Sequence, residues 1–200
     1  MADDPVPGWI RDVECDDPRK AVPAIRALGK AQDRRAVPGL IMAARSPRSS
    51  EVRMRAVEAI GAIGDAHAAS AVADALADPD AHVRERACHA LARLGAADRL
   101  GAAARLVRDA DRRVRMGAIA AVSALARPGH LTPAIVADLW SAALDDPDEP
   151  VRTLAAEALA RQGATGADQV LRAALARGGP SADRARHSAH VLEVARGRRA

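Results

Sequence analysis

The sequence predicts an all-α protein, a right-handed α–α superhelix of about five helical hairpins with a cap at each end. Three observations carry that prediction. First, one helical phrase recurs along the chain. From Val83, apolar residues fall at Ala87, Ala90, Leu91 and Leu94, a spacing that puts them on one helix face before Gly95 ends it. The same positions hold Ala56, Ala59, Ile60 and Ile63 after Val52, Ala118, Ala121, Val122 and Leu125 after Val114, and Ala155, Ala158 and Leu159 after Val151. Second, Val52 to Val83 and Val83 to Val114 are steps of 31 residues and Val114 to Val151 is one of 37, a period that marks a stacked array. Third, strand signals are missing. There is no Tyr or Phe and no sustained apolar–polar alternation, and the segments between turns are rich in Ala, Leu and Arg.

Taken in order, Met1 to Cys15 is an acidic lead-in whose apolar cluster of Trp9, Ile10 and Val13 is expected to cap the first repeat. That repeat spans about 17–47, with Lys20 and Ala21 where later copies have Val and Arg. Its first helix ends at Ala27-Leu28-Gly29, and its second opens near Val37 with Pro38 in the first turn. The second repeat, 49–78, breaks between its helices at Gly64-Asp65. The third, 80–109, breaks at Gly95-Ala96-Ala97-Asp98. The fourth, 111–146, takes its six extra residues around Arg127 to Leu131 and restarts with Thr132 as N-cap and Pro133 behind it. The fifth, 148–177, stops at Gly178-Gly179-Pro180. A polar-faced helix over 181–197 closes the array as its C-terminal cap.

With 49% hydrophobic and 28% charged residues, the 200 residues suit one short solenoid domain over 1–200. No apolar stretch approaches a membrane span, and Asp3, Asp4 and Asp12 occupy the place where a signal peptide would be basic and then apolar. Cys15 and Cys88 lie far apart, which indicates neither a zinc knuckle nor a disulfide framework and fits a reducing cytoplasm. The net charge of +4 is held by the tail from Arg177 onward, while the first seventeen residues hold six acids against Arg11. The body therefore has no global field for a polyanion. Lysine occurs only at Lys20 and Lys30, an Arg- and Ala-rich bias that suggests a bacterial source.

Two phrases carry a family resemblance. Ala27-Leu28-Gly29-Lys30-Ala31-Gln32-Asp33-Arg34-Arg35-Ala36-Val37-Pro38 and Asp78-Pro79-Asp80-Ala81-His82-Val83-Arg84 resemble the short HEAT-like repeats of the phycobilisome-lyase class, over about 17–197. The resemblance implies a HEAT-like solenoid. That class includes bilin lyase subunits, a di-iron hydroxylase, DNA glycosylase relatives and plain scaffolds, so fold alone does not choose a function.

Four features bear on chemistry. Arg53, Arg84, Arg115 and Arg152 each follow the repeat valine, with Asp80, Asp111 and Asp148 three residues before it and Asp78, Asp109 and Asp146 five before. The register favours a structural ladder in which each Arg bonds turn carbonyls or an Asp of the adjacent repeat, while the Asp residues suit helix starts. Histidines form two candidate metal trios, His187, His190 and Glu193, and His82, Glu85 and His89. The hydroxylases of the resembled class use His-Glu dipeptides, and no His here precedes Glu, so no metal and no cofactor is expected. Bilin attachment needs a partner subunit and a pocket that no stretch here identifies. Nucleic-acid binding lacks stacking residues beyond Trp9 and Trp140, which makes that partner unexpected.

No nucleophile elbow or Walker loop is present, so no catalytic residue is assigned. The expected function is a non-enzymatic scaffold or adaptor that binds a protein or peptide on the concave face lined by second helices. The alternatives are a bilin-lyase-like or chaperone-like subunit acting with a partner, and a nucleic-acid binder. Counting back from each repeat valine, Val72 and Leu76, Ala103 and Val107, and Trp140 and Leu144 should face the core. Ser70 and Asp74, Gly101 and Arg105, and Asp138 with Ser141 and Ala142 then turn outward as the expected binding stripe, whose charges of alternating sign could set a partner's register.

Overall fold

The four 14-residue helices among the described residues start where an Asp or Ser side chain takes a free N–H, and three of them end where the backbone turns left-handed. The computed structural model describes residues 4–15, 17–47, 49–126 and 146–161. It also describes positions 132, 135, 138, 139, 142 and 145, and 186, 189, 190, 193 and 194. Its helices are α1 (Val6–Glu14), α2 (Pro18–Ala31), α3 (Val37–Ala44), α4 (Ser50–Ile63), α5 (Ala69–Asp74), α6 (Ala81–Leu94), α7 (Leu100–Arg105), α8 (Arg112–Leu125) and α9 (Glu149–Arg161). Among the described residues there is no strand. Asp17 caps α2, Ser49 α4, Asp80 α6 and Asp111 α8, each accepting a backbone N–H of the first turn at 2.8–3.3 Å. Thr132 likewise accepts the Ile135 N–H.

The chain divides into two compact units, residues 1–102 and 103–200. In the first, α4 packs between α2 and α6, α3 packs against α4 and α5 against α6, and α1 lies on α2 and α3. In the second, α8 packs on α9 and on the 3-10 turn Leu106–Arg108. All the repeat-phrase positions after Val52, Val83, Val114 and Val151 are buried. A further column, one residue after the first alanine, is fully buried as well: Val57, Cys88, Ile119 and Ala156. Cys88 is thereby a core residue.

The second helices are short. α5 and α7 are six residues each, preceded by the 3-10 turns Ala66–Ala68 and Ala97–Arg99 and followed by Ala75–Ala77 and Leu106–Arg108. A 3-10 stretch rises about 2.0 Å per residue against about 1.5 Å in an α-helix, so these rods gain reach on few residues. Val72, Leu76, Ala103 and Val107 are buried, whereas Trp140 and Leu144 lie outside the described residues.

Two features set how closely first helices approach. A Cβ on Gly29 would meet Ala59 at 3.2 Å, and one on Gly61 would meet the Ala90 backbone at 2.9 Å. Helix ends differ between repeats: Gly64 and Gly95 terminate α4 and α6 in the left-handed region, and Gln32 takes that conformation after α2 with φ of 52°.

Candidate functional site

The junctions between repeats are built from an Asp-x-Asp turn and one arginine. In Asp78-Pro79-Asp80, Asp109-Ala110-Asp111 and Asp146-Pro147-Asp148, the first Asp accepts the N–H of the second at 2.9 Å, which closes the turn. Arg53 donates to both carboxylate oxygens of Asp78 at 2.7 and 2.9 Å and to the Ser46 carbonyl at 3.1 Å. Arg115 forks onto Asp146 at 2.7 and 3.0 Å, reaches Asp148 at 2.7 Å, and donates to the Asp109 and Ala110 carbonyls. Arg84 donates to the Asp78 and Pro79 carbonyls, and Arg152 to those of Asp146 and Pro147. Each guanidinium thus ties the turn before its own helix, and Arg53 and Arg115 reach forward to the next junction as well. The forward partners come first from Asp78 and Asp146, while Asp80 and Asp111 cap helices and Asp148 accepts from Nη2 of Arg115 and faces Arg112 at 3.8 Å.

The pair Arg115 and Asp146 is buried, with side chains 10% and 6% exposed. The Asp146 contact raises the Arg115 pKa, as Asp78 raises that of Arg53. Burial alone would raise the Asp78 carboxyl, but the Arg53 guanidinium and the Asp80 N–H hold it below its ordinary value. Asp111 is lowered to about 2 by the Arg113 side chain and backbone N–H. These hydrogen bonds brace the junctions.

On the second helices, Ser70, Asp74 and Gly101 of the first unit and Arg105 of the second are exposed. Asp74 meets Arg45, at the end of α3, at 2.9 Å with both side chains about 60% exposed. Asp138 meets Arg108 at 2.7 Å and is half-buried. Ser141 lies outside the described residues. Ala142 does not face outward: it is buried with Ile135 and Leu139. Spacings of four and three residues put those three on one helix face, which there includes the position nine before the repeat valine that is exposed at Asp74 and Arg105.

Among the described residues the histidines do not assemble. His89 approaches Glu85 at 3.8 Å, His82 meets Asp80 at 3.4 Å, and His190 and Glu193 are exposed while His187 lies outside the described residues. Among the described residues no group of three or more His, Cys, Asp or Glu is placed to hold a metal. No described helix is long and apolar enough to cross a membrane. Gln32, which stands where later repeats have Gly64 and Gly95, donates its side-chain amide to the Ala62 carbonyl on α4 at 2.8 Å, a contact the periodic pattern does not announce.

A model of HEAT repeats matches residues 7–92 and again 70–160. The chain belongs to the HEAT repeat family. No curated protein matches the sequence significantly. Among solved structures, this HEAT repeat chain is similar to the complex of CpcE and CpcF of phycocyanin lyase from Nostoc sp. PCC7120, at 23% identity, TM-score 0.63, covering 77% of this chain and 97% of that one. It is also similar to a designed armadillo repeat protein in complex with the peptide (KR)4, at 18% identity, TM-score 0.61, covering 96% and 100%. An engineered protein gives 20% identity, TM-score 0.64, and coverage of 96% and 98%. At these identities the likeness is one of fold: an all-α, HEAT- and armadillo-like helical-repeat solenoid.

Proposed function

We propose that this HEAT repeat chain is a non-enzymatic scaffold that binds a protein or peptide through the outward residues of its second helices. The observation that carries this reading is the exposure of Ser70, Asp74 and Gly101 in the first unit and Arg105 in the second, on helices whose other faces are buried. An exposed ion pair such as Arg45–Asp74 contributes little to stability, roughly 0–1 kcal/mol, so either charge can exchange its partner for one on a ligand. Small residues at 70 and 101 let a partner approach the backbone. The armadillo protein named above was solved with a bound peptide, which supports the same use of this architecture.

The test begins with affinity capture and mass spectrometry from the source cell, followed by titration of the purified partner. Reversing Asp74 and Arg105 together should weaken binding by more than about tenfold with the helical signal and unfolding midpoint unchanged. Retained binding in that double variant, with loss on reversing Glu58 and Glu157 instead, would move the interface to the first helices. A tetrapyrrole absorbance on co-expression with a bilin-carrying subunit would favour the lyase-like subunit instead.

A further inference from the structure

A second surface lies on the first helices of the unit formed by residues 1–102, and the second-helix reading neither uses nor requires it. A groove of about 400 Å³ opens along α2, α4 and α6. It exists because Gly29, Ala59 and Ala62 line it: Gly29 packs so closely on Ala59 that even a Cβ would be tight, and none of the three carries a side chain long enough to fill the space. Arg26, Lys30, Arg55 and Arg93 line it too, against the single carboxylate of Glu58. Arg55 is held by Glu58 at 3.0 Å. Arg26, Lys30 and Arg93 are exposed, and among the described residues none of them has an ion pair or hydrogen bond partner.

Such a groove concentrates positive potential on this face of the first unit. The geometry also narrows the kind of anion. Its cations stand on the later turns of α2 and α6, where the helix dipole is negative, and no helix N-terminus opens into it. A compact phosphate, which is best held by backbone N–H groups, finds none here. Carboxylates on flexible side chains can instead meet long Arg and Lys side chains at a distance from the helix carbonyls. A polynucleotide would need a continuous basic track and stacking residues, and among the described residues no aromatic side chain lines the groove.

We propose that this groove docks an acidic segment of a protein partner, with carboxylates taken by Arg26 and Lys30 from α2 and by Arg93 from α6. Glu58 sets the number of acids it accepts by neutralising Arg55.

The experiment is fluorescence anisotropy on the full chain at low ionic strength. The probe is a labelled peptide of four glutamates between glycines, compared with its all-glutamine counterpart. The glutamate peptide should bind at least about tenfold more tightly than the glutamine peptide and weaken steeply with salt. The triple variant R26Q/K30Q/R93Q should lose about tenfold or more. The variant R11Q/R19Q, at two exposed arginines outside the groove, should bind as the parent does, and Glu58→Gln, which frees Arg55, should bind roughly threefold more tightly. Equal affinity for the two peptides overturns the proposal. So does undiminished binding in the folded triple variant, or the absence of any gain in Glu58→Gln, a reading that holds even if the triple variant does not fold. Displacement of the peptide by inorganic phosphate, or by a single-stranded oligonucleotide whose own binding the triple variant abolishes, would reassign the groove to phosphate or to nucleic acid.

Discussion

Arg115 sits at a buried junction. Its guanidinium satisfies two carboxylates and two turn carbonyls, and its removal would leave Asp146 buried beside Pro147 with its charge uncompensated. Arg115→Ala is therefore expected to cost about 3 kcal/mol or more, against about 0.5 or less for Arg93→Ala at an exposed position. Urea midpoints of the two variants measure the difference, and equal midpoints would argue against a ladder that braces the junctions. Arg115→Lys should recover only part of the loss, since an ammonium cannot fork onto Asp146. Gln32 offers a different balance. Its left-handed backbone costs roughly 1 kcal/mol, and its amide bond to the Ala62 carbonyl returns about as much. Gln32→Ala keeps the strain and loses the bond, whereas Gln32→Gly loses both. The glycine variant is thus expected to be the more stable of the two by about 1 kcal/mol; the reverse order in thermal melts would mean that residue 32 is unstrained.

Helices approach one another here through small residues, and that is testable at Gly61. Replacing a mid-helix glycine by alanine normally stabilises by up to about 1 kcal/mol. On α4 the new methyl would sit 2.9 Å from the Ala90 backbone, which belongs to a packed helix and cannot swing aside as a side chain could. Gly61→Ala should consequently destabilise, by about 1–3 kcal/mol, and Gly29→Ala, with 3.2 Å available, by less. A rise in melting temperature for Gly61→Ala would show that α4 and α6 separate freely. The same elements explain what was legible in the sequence. First helices could be read because their buried positions recur at two steps of 31 residues and one of 37. The extra column of Val57, Cys88, Ile119 and Ala156 was equally periodic and was passed over. Second helices were harder, since six α-helical residues between 3-10 turns give too short a window for a 3.6 period. Ala142 is where counting back from the valine failed. The groove was hidden for another reason: Lys30, Ala62 and Arg93 share a register position, but only packing shows that the small middle member leaves a space between two cations.

For the molecule as a whole, the acidic side chains decide the response to pH. Several carboxylates at caps and junctions are held below their ordinary range, among them Asp111 at about 2 beside Arg113, and Asp78 under the combined pull of Arg53 and the Asp80 N–H despite its burial. A carboxyl whose pKa falls on folding adds stability that is complete above its unfolded value, about 3.9, and is lost as pH falls through the folded value. Stability should therefore be flat down to about pH 5 and drop between about pH 4 and 2, where protonated acids also leave 30 Lys and Arg side chains to repel one another. The variant Asp78→Asn separates the junction from that general repulsion. It lacks the titrating group, so it should be less stable than the parent at pH 7. Its deficit should shrink as pH falls below about 4, because the parent then loses by protonation what the variant lost by substitution. Urea midpoints of both proteins at pH 7, 5 and 3 follow that convergence. A gap that stays constant across the three would mean that the fork between Arg53 and Asp78 contributes nothing that depends on charge, and that the junctions are held by the carbonyl contacts of the arginines alone.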